Sequence, residues 1–377
     1  WVIRQSARVI SLPAILFRHR QAHPVQFARL QCMPTLSIGR QMTTIHGWAA
    51  SGAKRELEPF TYDAGPLGAE EVEIAVEYCG LCHSDLSILN NDWGLSRYPV
   101  ILGHEAVGRI VALGESAKGL KAGQRVGIGW SASSCMHCHE CMTGNHNLCP
   151  EVGATIIGRH GGFADRLRSH WAWAIPLPDA LDISSAGPLL CGGITVAAPL
   201  MHFNVKPTDR VGVVGIGGLG HMALRFANAW GCEVTAFTSS ESKFEEARKL
   251  GAHQVISSRD RAGIAKAAGS LDFLLITVNV PLDWSALLGT LKPNGRMHVV
   301  GAVLEPMPIA AFDLIMKQKG VSGSPTGAPA AISAMLDFAA RHGVAPQVEH
   351  FPLSRVNDAI EHLATGKARY RVVIDIS

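Results

Sequence analysis

The sequence predicts an α/β protein in which a β-rich domain is followed by a doubly wound parallel sheet. Three observations carry that expectation. Short strands separated by glycine turns run to about Pro178, strand and helix alternate from Val211 onward, and a glycine-rich turn occupies the first strand-to-helix junction of that alternation.

The elements follow in order. Glu71-Val72-Glu73-Ile74-Ala75-Val76-Glu77-Tyr78 alternates polar and apolar side chains, the period-2 pattern of a half-exposed strand, and delivers the chain to Cys79-Gly80-Leu81-Cys82. Gly123 to Gly127 and Gly161 to Ala164 continue the β-rich grammar. Val211 to Val214 is a short apolar strand, after which Leu219, Met222, Phe226 and Trp230 recur at helical spacing until Gly231 stops the helix. Val234 to Thr238 forms the next strand. Ser242 and Glu245 have the spacing of a capping box for a helix over roughly 243–250, closed by Gly251. Further strands are expected at Leu271 to Val278 and Arg296 to Val300.

Length and charge exclude several classes. At roughly 150 residues per domain, 377 residues allow two or three core-forming units, and 47% hydrophobic content supplies the surface to bury. The net charge is +3, yet residues 1–41 hold six arginines and no Lys, Asp or Glu, so subtracting those six leaves −3 for residues 42–377. A nucleic-acid binder would show a basic face in the folded part. The longest uncharged stretch, Ile183 to Met201, contains Pro188 and Pro199 and reads as core, not as a membrane span. The Arg-rich residues 1–41 are either upstream sequence with no folded role or a targeting segment, with disorder expected in both cases. The expected location is cytoplasmic, or mitochondrial if that segment is a genuine presequence.

The cysteines point to metal. Cys135, Cys138, Cys141 and Cys149 form Cys-x2-Cys-x2-Cys-x7-Cys, a spacing that lets four thiolates close a tetrahedral shell on one structural zinc. Cys82, His104 and Cys191 stand far apart. Gathered by the fold, they make an open Cys2His site with one position left for substrate, the arrangement of a catalytic zinc. A metal-free thiol cluster is the competing reading of both sets. Cys32, Cys79 and Cys232 have no assigned task.

Gly215-Ile216-Gly217-Gly218-Leu219-Gly220 is a G-x-G-x-x-G at a strand-to-helix turn, where backbone amides and the helix N-terminus can hold a pyrophosphate. The next strand ends in Thr238-Ser239-Ser240-Glu241-Ser242-Lys243 in place of the carboxylate that accepts from a ribose 2′-hydroxyl. Hydroxyls plus an ammonium at Ser239, Ser240 and Lys243 favour NADP(H) over NAD(H) by charge complementarity. The same serines could serve as helix caps.

Taken together, Gly80-Leu81-Cys82-His83-Ser84-Asp85, Gly103-His104-Glu105, the four-cysteine cluster, Leu190-Cys191-Gly192-Gly193-Ile194-Thr195 and the glycine turn occur in an order that resembles the zinc-dependent medium-chain alcohol dehydrogenases. Within them the chain is most similar to the cinnamyl alcohol dehydrogenase group and its broad NADPH-dependent aldehyde reductases. The resemblance covers nearly everything from Met42 on. It implies a GroES-like catalytic domain with a structural zinc lobe over 42–190, an inserted Rossmann domain over 191–325, a C-terminal return over 326–377, and a homodimer. It also implies two zinc ions per chain, at Cys82, His104 and Cys191 and at Cys135, Cys138, Cys141 and Cys149, with Glu105 a transient ligand of the first.

Ser84 is then the proton relay, and Asp85 orients His104 through its other ring nitrogen. Thr195, Gly215, Gly217, Gly218, Leu219, Gly220, Thr277 and Gly301 join the Ser239, Ser240 and Lys243 turn around NADP(H). One departure is plain: Ser87 stands where the group carries a histidine that assists proton exit. The implied reaction is reversible hydride transfer between NADP(H) and a primary alcohol or aldehyde. Trp93 and Trp130 could wall its pocket, or simply pack. The alternatives are an NAD-dependent zinc polyol or secondary-alcohol dehydrogenase, and a non-catalytic zinc- and nucleotide-binding redox sensor.

Overall fold

The computed structural model describes residues 43–376; the expectations for residues 1–41, Cys32 included, lie outside them. β1 (Glu71–Leu81) is the spine of the first large sheet; its alternation buries Val72, Ile74 and Val76, and a register shift between Val76 and Tyr78 then turns Cys79 inward. After it, α1 (His83–Asn90) turns the chain toward β2 (Glu105–Leu113), β3 (Arg125–Ile128), β4 (Arg166–His170) and β5 (Ile175–Pro176). β1 pairs antiparallel with β2, β2 with β3 and β3 with β5, while β4 also lies against β1. A smaller sheet, Leu57–Asp63, Thr44–Ala50 and Val100–Ile101, packs with these strands in one apolar core.

The chain then crosses through α2 (Gly192–His202) into the nucleotide-type domain. Its elements are β6 (Arg210–Val214), α3 (Gly220–Trp230), β7 (Glu233–Thr238), α4 (Phe244–Lys249), β8 (Gln254–Ser257), β9 (Leu271–Ile276), β10 (Leu291–Val299) and β11 (Gly320–Gly323). The six strands run parallel in the order β8-β7-β6-β9-β10-β11. The order reverses between β6 and β9, and ligands of such sheets bind in the crevice at that switch point. α3 holds its place because Met222, Ala223, Phe226 and Ala227 are buried on one face, the Met and Phe each worth about 1.5–3 kcal/mol of transfer free energy. Gly231 ends it at φ 101°, a left-handed turn that favours glycine.

α5 (Pro329–His342) follows, then β12 (Val348–Pro352), α6 (Val356–Ala364) and β13 (Arg371–Asp375). β13 pairs antiparallel with β1, closing the first sheet with residues from the end of the chain.

α5 buries Ile332, Met335, Leu336 and Ala339 in a core shared by α2, α3 and the first-domain residues Val107, Ile175 and Leu177, and β12 and β13 then complete the first sheet. The capping box at Ser242 and Glu245 does not form. Residues Glu241–Lys243 make a 3-10 turn, Ser242 Oγ bonds Ser240 Oγ at 2.7 Å, and α4 starts one residue past Lys243. Pro188, Leu189, Leu190, Ile194, Val196, Ala197 and Leu200 are buried in the protein interior, as the core reading of the uncharged stretch expects. Among the described residues no single helix is long and apolar enough to cross a membrane.

Candidate active site and metal centres

β1 and α1 meet at Cys82, and that junction is built by Asp85. Its Oδ2 accepts the Cys82 N–H at 2.8 Å, which caps α1, while Oδ1 accepts the Gly103 N–H at 2.9 Å. The same Oδ1 receives the His104 Nδ1 proton at 3.0 Å. With Nδ1 occupied, Nε2 presents its lone pair toward Cys191, whose Sγ is 3.3 Å away. Cys191 arrives from the turn before α2. Donor atoms of Cys82, His104, Glu105 and Cys191, all four residues buried, lie within 4.8 Å of one another. The fold therefore gathers the dispersed set.

The donors fit zinc. Bond lengths of about 2.3 Å to sulfur and 2.0–2.1 Å to nitrogen place tetrahedral S and N donors about 3.5 Å apart, close to the Cys191–His104 spacing. A hydrogen bond from Cys191 and the positive Arg371 hold the Cys82 thiol well below its ordinary pKa, toward the thiolate that a metal needs.

The four-cysteine lobe fits a second ion. Its sulfurs lie within 4.8 Å of one another, with Cys135 Sγ and Cys141 Sγ 4.0 Å apart against about 3.8 Å for tetrahedral thiolates at zinc distance. Backbone N–H groups of Cys138, Cys141 and Glu151 point at the sulfurs of Cys135, Cys138 and Cys149 at 3.3–3.5 Å, which stabilises thiolate charge. Four donors leave no place for substrate here.

A cleft of about 640 Å³ opens above the first set. Cys82, Ser84, Ser87, Trp93 and Trp130 form one wall, and Gly217, Gly218, Leu219, Thr277 and Gly301 form another, with Cys191 and Thr195 between them. Ser84 Oγ is 3.9 Å from Cys82 Sγ, and Ser87 follows on the same face of α1. Trp130 meets the His104 ring edge-on at 5.1 Å and Trp93 at 6.0 Å, so both tryptophans belong to the wall.

The glycine turn is shaped for a ligand's backbone. A Cβ on Gly220 would sit 1.8 Å from the Gly215 carbonyl oxygen, whereas one on Gly217 would meet nothing within 4 Å. The first glycine is required by close packing, and the second leaves the space that a pyrophosphate would fill. Thr277 Oγ1 donates to the Val214 and Gly215 carbonyls, both at 2.9 Å, and steadies the turn. Lys243 Nζ reaches over from the end of β7 to donate to the Ile216 carbonyl at 2.9 Å. Ser239 is exposed and Ser240 half-buried beside it.

Comparison with known proteins agrees with this geometry. Residues 68–179 match the alcohol dehydrogenase GroES-like domain and residues 218–341 match the zinc-binding dehydrogenase family. An aldehyde reductase of Synechocystis is 52% identical over 333 residues, covering 88% of this chain and 99% of the relative. The chain belongs to the zinc-dependent medium-chain alcohol dehydrogenases. A probable cinnamyl alcohol dehydrogenase of Arabidopsis thaliana is 38% identical, covering 89% of the dehydrogenase and 95% of the relative. Among solved structures, a cinnamyl alcohol dehydrogenase from Sorghum bicolor superposes with a TM-score of 0.85 at 40% identity, covering 89% and 98% of the two chains. The cinnamyl alcohol dehydrogenase of Helicobacter pylori complexed with NADP(H) gives 0.82 at 29% identity, covering 89% and 99%.

The dehydrogenase also uses residues that sequence reasoning did not single out. Arg371, at the head of β13, is buried and ion-paired with Glu105, and its Nη1 lies 3.9 Å from Cys82 Sγ. Burial pushes the Glu105 carboxyl up to about 7 against the opposing pull of Arg371, and Glu105 Oε2 has no hydrogen-bond partner. An arginine opening the apolar run Val372-Val373-Ile374 was the available signal. His221 is a second omission. Its Nδ1 lies 3.2 Å from the Gly217 carbonyl and its Nε2 accepts the Gln347 N–H at 3.2 Å, which requires a neutral ring. Burial and then Arg371 lower its pKa to about 3, so the ring ties the glycine turn to the C-terminal segment across the neutral pH range.

Proposed function

We propose that this zinc-dependent oxidoreductase transfers hydride reversibly between NADP(H) and a primary alcohol or aldehyde. The observation that carries the reading is the convergence of Cys82, His104 and Cys191 at a cleft that Cys82 and Cys191 line together with the dinucleotide turn. Bound zinc would supply Lewis acidity at the substrate oxygen and NADPH the hydride. Cys82, Cys191 and His104 would hold the metal, and Asp85 fixes the tautomer of His104. Ser84 exchanges the proton at the product oxygen. Trp93 and Trp130 exclude water and offer aromatic faces to an apolar substrate. The aldehyde reductase and the NADP(H) complex among the relatives support the substrate class and the coenzyme.

Ser239 stands at the tip of β7 where a carboxylate would repel a 2′-phosphate, and although Glu241 adds a negative charge in the turn that follows, Ser239, Ser240 and Lys243 offer the phosphate hydrogen bonds and a positive charge. Oxidation of NADPH with benzaldehyde as acceptor, on protein carrying two zinc ions per chain, is the direct test. Absence of turnover with both metals present overturns the reading. Replacing Ser239 with Asp is expected to reverse the ratio of kcat/KM for NADPH over NADH, by about tenfold or more for roughly 1.4 kcal/mol of phosphate repulsion. An unchanged ratio removes the phosphate argument.

A homodimer is part of the same proposal. β11 is one of the two edges of its sheet, and in the segment that leads into it Leu304, Phe312, Ile315 and Met316 are 64–70% exposed. An unpaired edge next to apolar surface is what pairing with a second copy would cover. Sedimentation equilibrium should return twice the chain mass, and a monomer at micromolar concentration contradicts it.

A further inference from the structure

Among the described residues, one side-chain hydrogen bond joins the structural lobe to the cleft. Asn147 lies in the single turn His146–Leu148, two residues before the metal-ligand position Cys149, and its Nδ2 donates to the Thr326 carbonyl at 2.8 Å. Thr326 belongs to the segment between β11 and α5, and Ser324, Pro325 and Thr326 all line the cleft. The segment has few anchors of its own. Pro325 has no N–H to donate. On one side Ser324 Oγ is held by buried His298, whose Nε2 is 2.9 Å away. On the other, Gly327 sits so close to Ile194 that a Cβ there would come within 2.6 Å of Cγ1. Between these two points the backbone polar group with a long-range side-chain partner is the Thr326 carbonyl, and that partner is Asn147.

We propose that Asn147 is a positioning residue for aldehyde reduction: its amide fixes the Ser324–Thr326 wall, so that the four-cysteine lobe sets the shape of the substrate cleft as well as bracing the fold. Among the described residues, the side-chain link from the lobe to this wall is the Asn147 amide. Loss of the donor frees the wall without touching the donors at Cys82, His104 and Cys191. Ground-state and transition-state binding then weaken together, which raises KM and leaves kcat nearly unchanged.

The proposal rests on the aldehyde reductase reading for its kinetic arm alone. Asn147→Ala, Asn147→Asp and Asn147→Ser are compared with the wild type in the full-length, zinc-loaded protein. Asp keeps the shape but has no proton to donate, while Ser retains a short donor. Amide hydrogen exchange of residues 320–328 is expected to accelerate about tenfold in the Ala and Asp variants. Exchange of residues 135–149, the zinc content and the melting temperature should stay at wild-type values. Benzaldehyde KM is expected to rise about fivefold in both, with kcat within about twofold, and Ser should recover part of each effect; all these figures are of the size expected from losing one net hydrogen bond of about 1 kcal/mol. Unchanged exchange in residues 320–328 overturns the proposal, and so does zinc loss accompanying the kinetic change, which would show a role confined to the lobe. Wild-type protein that does not reduce the aldehyde would refute the functional reading, while the exchange result would still decide the role of Asn147.

Discussion

Replacing Cys82 with alanine is expected to lower aldehyde reduction by about three orders of magnitude or more, since the several kcal/mol supplied by a Lewis acid count one decade for each 1.4 kcal/mol or so. Zinc content should fall from two ions per chain to one. The reason is local. Cys82 is one of three donors that β1, β2 and the turn before α2 bring together, and it is the sulfur that Arg371 faces at 3.9 Å. Two remaining donors cannot hold an ion against water and chelators. The lobe at Cys135, Cys138, Cys141 and Cys149 shares no ligand with this set, so its ion stays and the protein remains folded. The measurement pairs metal analysis with turnover on the same preparation. A Cys82→Ala variant with full activity and both zincs would sink the assignment.

Replacing Ser84 with alanine is expected to lower kcat about 10²-fold or more, the usual contribution of a positioned proton donor, with both zinc ions retained and coenzyme affinity unchanged. Ser84 lines the cleft beside Cys82 but donates nothing to the scaffold that the structure relies on. Its loss is therefore kinetic. Threonine, which keeps the hydroxyl, should restore most of the rate, whereas a role in packing alone would be served equally well by alanine. Equal kcat in wild type and Ser84→Ala would move the proton step elsewhere. Ser87 is the obvious place to look, because it lies one helical turn on along the same wall.

Much of this site was legible before any coordinates. The four-cysteine spacing is local, and a lobe of 15 residues can close on a metal with little help from the rest of the chain. The glycine turn is local as well: the steric demands at Gly220 and the open space at Gly217 belong to one strand-turn-helix unit. Element types followed from periodicity, and their ends moved by a few residues, as at β9 and β10, since the final hydrogen bonds of a strand depend on its neighbours.

Other features could not be read that way. Glu105 and Arg371 are separated by 266 residues and form one buried ion pair because β13 returns to lie on β1. His221 and Gln347 meet across the same return. The capping box at Ser242 and Glu245 failed for the opposite reason: a correct local pattern gave way to a tighter turn that presents Lys243 to Ile216.

The sequence alone determined the chemistry available to this protein, namely its donor types, its closed cluster, its dinucleotide turn and a strand tip without a carboxylate. Tertiary structure decided which of those groups act together. Cys82, His104 and Cys191 become a site, Arg371 joins them, and the lobe touches the substrate wall through Asn147, because strand pairing and core burial bring residues far apart in the chain within bonding distance. Motifs record short-range constraints on backbone and ligand geometry, whereas long-range contacts are settled by the burial of apolar surface over the whole chain.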